Sequence, residues 1–181
     1  MQPSAEIVTA PTESLSAATR ASIIELCVAA HDNDDFRNLF TYVPSGGRHF
    51  LAYRDEALIA HAMVTTRWLQ PEGHHVLETA YVDAVATLPA LQGEHYGSAL
   101  MRHLAEEIAR SHTIACLETD KPGFYSRLGW EPWRGPLAGR GERGLVPTPN
   151  QRGIMVLRLP MTPVLDLDGS LSIECQPGRI W

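Results

Sequence analysis

Apolar side chains recur at helical spacing in two long segments of the chain. Residues 14–29, and the segment that follows residues 92–97, place apolar residues three and four positions apart, as one buried helix face requires. The positions concerned are Leu15, Ala18, Ile23, Leu26 and Cys27 in the first segment and Leu100, Met101, Leu104 and Ile108 in the second. We expect Thr12 or Ser14 to cap the first helix and the second helix to end near Ser111.

Strand-like runs of β-branched, aromatic and other apolar residues fill much of the remaining sequence. They cover residues 49–53, 57–64, 76–88, 113–118, 154–159 and 170–176. A turn at residues 54–56 joins the first two runs into a hairpin, and Asp168-Gly169 indicates a second hairpin turn. The first dozen residues predict an edge strand or a frayed start, and residues 122–128 predict a short helix. The glycine- and proline-rich segment 135–153 is typical of a long irregular loop.

This order of elements predicts an α+β fold with a central, mainly antiparallel sheet flanked by helices. No internal repeat and no linker divides the sequence, so we expect a single domain over residues 1–181. The chain is 44% hydrophobic and 20% charged, which is ordinary for a globular protein. No apolar run has the length of a membrane helix and no signal layout opens the sequence, so a cytoplasmic protein without a membrane partner is expected.

The charge of the chain excludes some partners. With 21 acidic and 15 basic residues the formal net charge is −6, which argues against a nucleic-acid partner and is compatible with a cationic substrate. The cysteines Cys27, Cys116 and Cys175 form no metal-binding pair and are interpreted as small buried residues. The adjacent His74 and His75 have no further ligands near them in the sequence, so no metal is expected.

The segment around residues 81–100 combines a strand, a short turn and the start of a helix. A helix start presents unpaired backbone N–H groups at its positive end, and such a place binds a pyrophosphate without basic side chains. Gly93 and Gly97 allow the backbone to approach an anion closely. Taken alone, this arrangement is also found in ordinary connections between elements.

A second segment downstream makes the pattern specific. Gln92 to Gly97 resembles the Q/R-x-x-G-x-G/A pyrophosphate loop of the GNAT superfamily of N-acetyltransferases. Phe124 to Trp130 resembles the F-Y-x-x-x-G-F/W element of the same superfamily. One position departs from the pattern, because His95 stands where the first motif glycine is expected.

The resemblance implies a GNAT fold with a splayed sheet and acetyl-CoA as cosubstrate. The pantetheine arm of CoA would pair with the main chain of Val85, Ala86 and Thr87 like an added strand. Its pyrophosphate would rest on Gln92, Gly93, Glu94, His95, Tyr96 and Gly97. Tyr125 would protonate the departing thiolate, and Asp83 would take a proton from the acceptor amine through a water molecule. The alternatives are a half-buried aromatic for Tyr125 and a cation anchor or solvated charge for Asp83.

A closer resemblance covers nearly the whole chain: the aminoglycoside 2'-N-acetyltransferases, which confer antibiotic resistance. It is carried by the hairpin sequence LIAHA at 58–62, by YVD at 81–83, by GWEPWRGP at 129–136 and by the ending CQPGRIW at 175–181. The resemblance implies direct transfer to the 2'-amino group in a ternary complex, and a possible homodimer. The residues that would bind the substrate are Asp35, Asp83, Ala84, Glu118 and Trp181 with its terminal carboxylate.

Two positive charges stand where that family has acidic residues. Arg152 and Arg179 would repel a polycationic acceptor, so either both side chains point away from it or the acceptor differs. Two alternatives therefore stay open: transfer to another small amine, such as a polyamine or a cell-wall precursor, and a non-catalytic CoA-binding module. His61, between apolar neighbours in the predicted hairpin, is interpreted as a core histidine rather than a catalyst.

Overall fold

A computed structural model of the chain describes residues 5–181. The helices are α1 Ala17–His31, α2 Leu39–Tyr42, α3 Tyr96–Ile108 and α4 Pro122–Ser126. The strands are β1 Glu6–Pro11, β2 Arg48–Arg54, β3 Ala57–Pro71, β4 Leu77–Thr87, β5 Ile114–Glu118, β6 Glu131–Pro132, β7 Leu137–Gly141, β8 Gly144–Pro147, β9 Ile154–Arg158 and β10 Leu171–Glu174. Two compact units share the chain. Unit 1 runs to Thr65 and resumes over Val82–Glu106, and unit 2 takes Thr66–Tyr81 and Glu107–Trp181.

Unit 1 is an antiparallel β-meander packed against α1. Strand β1 pairs with β2, and β2 pairs with the first part of β3. Apolar side chains of α1 face the sheet because they recur at helical spacing. The buried core consists of Leu15, Ile23, Leu26, Cys27, Leu39, Leu51, Met63 and Ala86. At the end of β4, the amide of Leu88 donates to the carbonyl of Ile59 over 2.9 Å, so the chain leaves β4 beside the start of β3.

Unit 2 contains the larger set of strands. In the strand order β6-β9-β5-β4-β3-β10-β7-β8, unit 2 contains β5 to β10, the end of β3 and the start of β4. Strand β10 is parallel to β7, whereas the pairs β3–β10, β5–β9, β6–β9 and β7–β8 are antiparallel. The core of the unit is built from both halves of its sequence: Leu69, Tyr81, Ile114, Cys116, Trp133, Ile154, Val156, Leu165, Leu167, Leu171, Ile173 and Trp181. The last strand therefore packs with residues about a hundred positions earlier in the chain.

Most of the predicted elements are present, with boundaries shifted by a few residues. The two long helices, the hairpin of β2 and β3 and the edge strand β1 are confirmed. The prediction that Thr12 or Ser14 caps α1 is wrong. Ser16 is the cap, because its side chain accepts the amide of Thr19 over 3.0 Å, whereas Thr12 is buried against Gly47 and His49. Of the first dozen residues, for which an edge strand or a frayed start is predicted, residues 1–4 lie outside the described residues.

Two predictions for the last third of the chain are wrong. The segment 135–153 is not an irregular loop, because it contains the antiparallel hairpin of β7 and β8. Asp168-Gly169 does not join a hairpin, since β9 pairs with β5 and β6 whereas β10 pairs with β3 and β7. The backbone of Gly169 instead lies against Gly135, where a Cβ would come within 1.8 Å of the Gly169 carbonyl oxygen.

Candidate functional site

Strand β4 carries a left-handed residue at the point where the sequence predicts binding. Ala84 has φ +50°, between Asp83 and Val85 in an otherwise extended strand. For a residue with a Cβ this conformation costs about 1–2 kcal/mol, so the surroundings must hold it. A single left-handed residue changes the direction of the backbone and side chains that follow it. The strand is therefore kinked next to the residues expected to bind the acetyl donor.

Two histidines contact the carbonyl group of the kinked residue and that of the residue after it. His61 Nδ1 lies 2.8 Å from the Ala84 carbonyl oxygen, and His31 Nε2 lies 3.0 Å from that of Val85. The thiol of Cys27 contacts the Ala84 oxygen at 3.9 Å, and burial raises the pKa of that thiol to about 12. Cys27 is therefore a neutral, packed thiol rather than a nucleophile.

His61 is the middle of a buried chain of polar groups. Its Nε2 lies 2.9 Å from His49 Nδ1, and His49 Nε2 lies 3.0 Å from Thr12 Oγ1, which also contacts the Gly47 carbonyl at 3.0 Å. Both imidazoles are fully buried. Burial lowers the pKa of His61 to about 3 and that of His49 to about 4, so both rings are neutral near pH 7.

The turn between β4 and α3 has the backbone shape that its glycine pattern requires. Gly93 has φ +86° and His95 has φ +68°, so His95 adopts the left-handed conformation of the glycine that it replaces. The first helical hydrogen bond runs from Ala99 N to His95 O at 2.9 Å. The amides of residues 96–98 precede this bond and have no partner within the helix.

These features fit the pyrophosphate of CoA. The side chains of residues 92–95 are exposed, the amides of the first turn of α3 point out of its positive end, and the left-handed residues leave the backbone accessible. Gln92 is already partly engaged, because its side-chain amide donates to the Thr87 carbonyl over 3.2 Å. Sequence reasoning did not identify Arg54, whose Nη1 donates to the Tyr96 hydroxyl over 2.9 Å at the start of α3.

The predicted acidic residues of unit 1 differ in exposure. Asp83 is partly buried, whereas Asp35 is exposed in a short 3-10 helix at Asp34–Asn38. The amide of Asp35 donates to the Asn33 side chain over 2.9 Å, which fixes the turn. Arg37 pairs with Asp34 at 2.9 Å.

In unit 2, Tyr125 is buried in an aromatic group at the end of α4. Its ring centroid lies 4.9 Å from that of Phe124 and 6.0 Å from that of Trp130. The chain turns sharply after it, because the amides of Leu128 and Trp130 both donate to the Tyr125 carbonyl and Gly129 adopts φ +88°. The F-Y-x-x-x-G-W pattern thus forms a tight turn around the tyrosine. The residue is 8% exposed, so it is more deeply buried than the half-buried alternative expected.

Glu118 and Arg152 lie in unit 2, and each contacts groups of the loop at residues 149–151. Glu118 is exposed and accepts a hydrogen bond from the side-chain amide of Gln151 over 2.7 Å. Because Gln151 is neutral, it does not neutralise the Glu118 carboxylate. The Arg152 guanidinium donates to the carbonyls of Pro149 and Gln151 over 2.6 and 2.7 Å. Arg152 is thus held by its own loop.

The side chain of Arg179 points towards the last residue, Trp181. Its Nε donates to the main-chain oxygen of Trp181, and its guanidinium lies 5.0 Å from the centroid of Tyr81. The indole of Trp181 is buried and donates to Thr148 Oγ1 over 3.0 Å. On the ring of Tyr81 a second guanidinium, that of Arg67, also lies 5.0 Å from the centroid. The predicted acidic end of the acceptor site therefore contains positive charge.

Two residues that hold this part of unit 2 together could not be recognised from the sequence. Arg67 is 1% exposed and donates to the Glu174 carboxylate at 3.0 Å and to the carbonyls of Glu174 and Ile180 at 2.6 and 2.7 Å. An arginine between apolar neighbours in a strand and a glutamate 107 residues later cannot be paired by local pattern.

Three further findings, on metal-binding groups, membrane-spanning helices and cysteines, concern the described part of the chain. Within residues 5–181 no group of three or more His, Cys, Asp or Glu side chains is arranged to hold a metal ion. None of the helices described there is long and apolar enough to cross a membrane. Cys27 and Cys116 are buried as expected, whereas Cys175 is only partly buried.

Comparison with solved structures shows the same fold in several acetyltransferases. ElaA from Escherichia coli superposes with a TM-score of 0.59 at 18% identity, over 86% of this chain and 100% of that one. YhbS from Escherichia coli, a GNAT-family N-acetyltransferase solved in complex with CoA, gives 0.63 at 15% identity, over 97% and 93%. The ribosomal-protein-S18-alanine N-acetyltransferase of Escherichia coli gives 0.57 at 17% identity, over 88% and 96%. Other matching proteins are longer, and this chain spans 33%, 34% and 33% of three of them.

The predicted α+β GNAT fold, with a mainly antiparallel sheet and flanking helices, is confirmed by these likenesses. A family model described as an acetyltransferase (GNAT) domain matches residues 16–133, which is more than half of the chain. It includes β4, the turn into α3 and Tyr125. The GNAT domain uses acetyl-CoA or CoA, as the CoA complex of YhbS illustrates. The chain belongs to the family of GNAT-domain acetyltransferases.

Proposed function

We propose that this protein transfers the acetyl group of acetyl-CoA to a primary amine of a small cationic molecule, specifically the 2'-amino group of an aminoglycoside. The observation that supports the transferase role is the left-handed Ala84, followed by the exposed turn at residues 92–95. In this proposal the main chain of Val85, Ala86 and Thr87 pairs with pantetheine. The amides of residues 92–97 and the positive end of α3 hold the pyrophosphate.

The chemistry needs one group to accept a proton and one to donate it. The amine loses a proton to Asp83 through water, its nitrogen attacks the thioester carbon, and a C–N bond replaces the C–S bond. Tyr125 protonates the departing thiolate, because a phenol of ordinary pKa about 10 can donate to a thiolate whose ordinary pKa is about 8.5. Direct transfer is supported by the burial of Cys27, whose pKa is raised to about 12, and of Cys116.

The cationic acceptor is supported by two exposed carboxylates. Asp35 and Glu118 are both exposed, and the partner of Glu118, Gln151, is neutral, so each side chain can attract an ammonium group. The aminoglycoside itself, the resistance that its acetylation would confer and the homodimer rest on the resemblance of the sequence. The same resemblance assigns these two residues, together with Asp83, Ala84 and Trp181, to binding of the acceptor.

Arg179 favours a second candidate acceptor. Its guanidinium contacts the Trp181 main-chain oxygen, which is the position at which a further ammonium group would be bound. A positive charge there favours an amine that also carries a carboxylate, and a polyamine is then the poorer acceptor. This candidate keeps the same acetyl donor and the same transfer chemistry.

Measurement of CoA thiol release tests the proposal and separates the two acceptors. Purified protein with acetyl-CoA is assayed with tobramycin, gentamicin and kanamycin B, which carry a 2'-amine, and with amikacin and kanamycin A, which carry a 2'-hydroxyl. Turnover of the first three alone is the expected result. Turnover of an amino acid or amino sugar acid instead would replace the aminoglycoside by the second candidate. CoA binding without turnover of any amine would contradict the transferase role and leave a CoA-binding module.

A further inference from the structure

We infer that His61 is a positioning residue for acetyl transfer: it holds the Ala84 carbonyl and thereby the kink of β4 along which acetyl-CoA lies. This inference rests on the proposed function, because it assumes that Val85, Ala86 and Thr87 bind pantetheine. His61 lies in β3, 23 residues before Ala84, and is completely buried. It does not touch the reacting atoms in this scheme. It acts through the backbone of β4.

The direction of the hydrogen bonds follows from the Ala84 carbonyl. A carbonyl oxygen only accepts, so we assign the ring proton of His61 to Nδ1. Because His61 is neutral, its Nε2 is an acceptor, and His49 Nδ1 must carry the proton between the two rings. Thr12 Oγ1 lies 3.0 Å from both His49 Nε2 and the Gly47 carbonyl oxygen, and its hydroxyl has one proton to donate. In this orientation the proton goes to His49, and the Gly47 carbonyl still accepts the amide of Thr12 over 2.8 Å. The groups from His49 Nδ1 to the Ala84 carbonyl are then each paired.

This orientation makes the bond to Ala84 hard to replace. Rotation of the His61 ring would replace Nδ1 by a carbon at the Ala84 carbonyl and Nε2 by a carbon at His49, so both contacts would be lost. The adjacent Val85 carbonyl is held separately by His31 at 3.0 Å. The left-handed Ala84 is thus fixed from one side by a buried group whose own orientation is set by His49. A core histidine that only filled space would not need a defined tautomer.

Two isosteric variants separate the contact to Ala84 from the contact to His49. In His61→Asn the side-chain amide occupies the position of Nδ1 and can still donate to Ala84. In His61→Gln the side-chain amide oxygen reaches the position of Nε2 and can accept from His49, but the hydrogen bond to the Ala84 carbonyl is lost. Each variant keeps one of the two ring contacts, so we expect similar losses of melting temperature from both.

Binding of CoA to the free protein is the first readout, because it needs no acceptor. The expected result is a dissociation constant raised about tenfold in His61→Gln and changed by less than about threefold in His61→Asn, as for one lost buried hydrogen bond. Steady-state kinetics should show the same contrast as a raised KM for acetyl-CoA. Equal dissociation constants in the two variants, with wild-type protein binding CoA, would overturn the inference and leave the proposed function standing. Absence of CoA binding by wild-type protein would overturn both.

A measurement on wild-type protein keeps the inference testable if His61→Gln does not fold. The nitrogen chemical shifts of labelled histidine report which ring nitrogen carries the proton. We expect the proton on Nδ1 of both His61 and His49 near pH 7.5, with a perturbed His61 signal when CoA is added. A proton on Nε2 of His61, or a His61 signal unaffected by CoA, would contradict the positioning role.

Discussion

The Nε–H of Arg179 donates to the main-chain oxygen of Trp181, two residues later. The contact places a permanent positive charge beside a residue that the sequence assigns to the acceptor site. Arg179→Gln should therefore lower the KM for a cationic amine, by up to about fivefold, since removing one nearby like charge is worth about 1 kcal/mol at high dielectric. The measurement is steady-state acetylation of tobramycin.

Arg143→Gln is the matched control for that change. Arg143 is an exposed arginine of the same unit, and its replacement alters the net charge equally. A similar fall in KM in both variants would mean that the effect comes from total charge rather than from the contact to Trp181. A rise in the KM for tobramycin in Arg179→Gln would contradict the predicted repulsion between Arg179 and a cationic acceptor.

Folding should become less favourable as the pH falls below the ordinary histidine pKa. Burial lowers the pKa of His61 to about 3 and of His49 to about 4, so below pH 6.5 the unfolded chain binds protons that the folded protein does not. The contribution of the two neutral histidines to the free energy of unfolding is complete above pH 6.5. It is lost as the pH falls towards the lowered pKa values of about 3 and 4. Between pH 7.5 and 5.5 the free energy of unfolding should drop by about 1.4 kcal/mol for each histidine.

Urea unfolding at the two pH values measures this drop. In His61→Asn the drop should be about half as large, because one of the two buried histidines is gone. Replacement of His75 by asparagine is the control, since that side chain is already exposed in the folded protein. An unchanged pH dependence in His61→Asn would contradict the assignment of the effect to the buried pair.

Arg67 should be essential for the stability of unit 2. It is buried against Glu174 and two carbonyl groups, so Arg67→Met leaves acceptors without a partner and should cost about 3–5 kcal/mol. The comparable surface pair is Arg134 with Asp168, joined by two contacts of 2.7 Å. Arg134→Met should cost less than about 1 kcal/mol, because that pair is solvated. Chemical denaturation of both variants compares the two, and equal losses would contradict the buried role.

The backbone at His95 should prefer glycine. His95 has φ +68°, so His95→Gly removes a steric cost of about 1–2 kcal/mol and adds a flexibility cost of about 0.5–1 kcal/mol. We expect His95→Gly to be neutral or slightly stabilising and to keep CoA binding. His95→Val should be destabilised by more than about 1 kcal/mol and should bind CoA less tightly, since a β-branched residue disfavours this conformation. Thermal melts with and without CoA measure both effects.

Tyr125→Phe tests the proposed acid. Without the hydroxyl, kcat should fall by about 10²–10⁴-fold, while the KM for acetyl-CoA changes little. The phenyl ring keeps the packing against Phe124 and Trp130, so the melting temperature should be nearly unchanged. An unaffected kcat would mean that Tyr125 serves only the aromatic packing.

The sequence predicts the parts of the fold whose signals are local. The hairpin of β2 and β3 follows from two strand-like runs around one turn, and α3 follows from its apolar face. The hairpin of β7 and β8 was missed because glycines and prolines resemble a loop when read locally, whereas β7 forms a strand by pairing with β10. That partner lies about thirty residues further along the chain.

The candidate site was predictable where a motif is short and continuous. Gly93, His95 and Tyr125 belong to such motifs, and the departure at His95 kept the expected backbone shape. The left-handed Ala84 was not predictable, because alanine disfavours that conformation and the group that holds it, His61, lies on another strand. His61 was correctly interpreted as a buried, satisfied histidine, but the identity of its partner required the structure.

The pairing of β10 with β3 has a consequence for how the protein is made. The whole sequence of unit 1 has been translated once Glu106 is added. Arg67 in β3 can meet Glu174 only when nearly the whole chain has been translated. At about 5–20 residues per second, the middle strands of the nascent chain wait several seconds with their edges uncovered. Slow translation of the last third would therefore be expected to raise the fraction of newly made protein that aggregates or recruits chaperones.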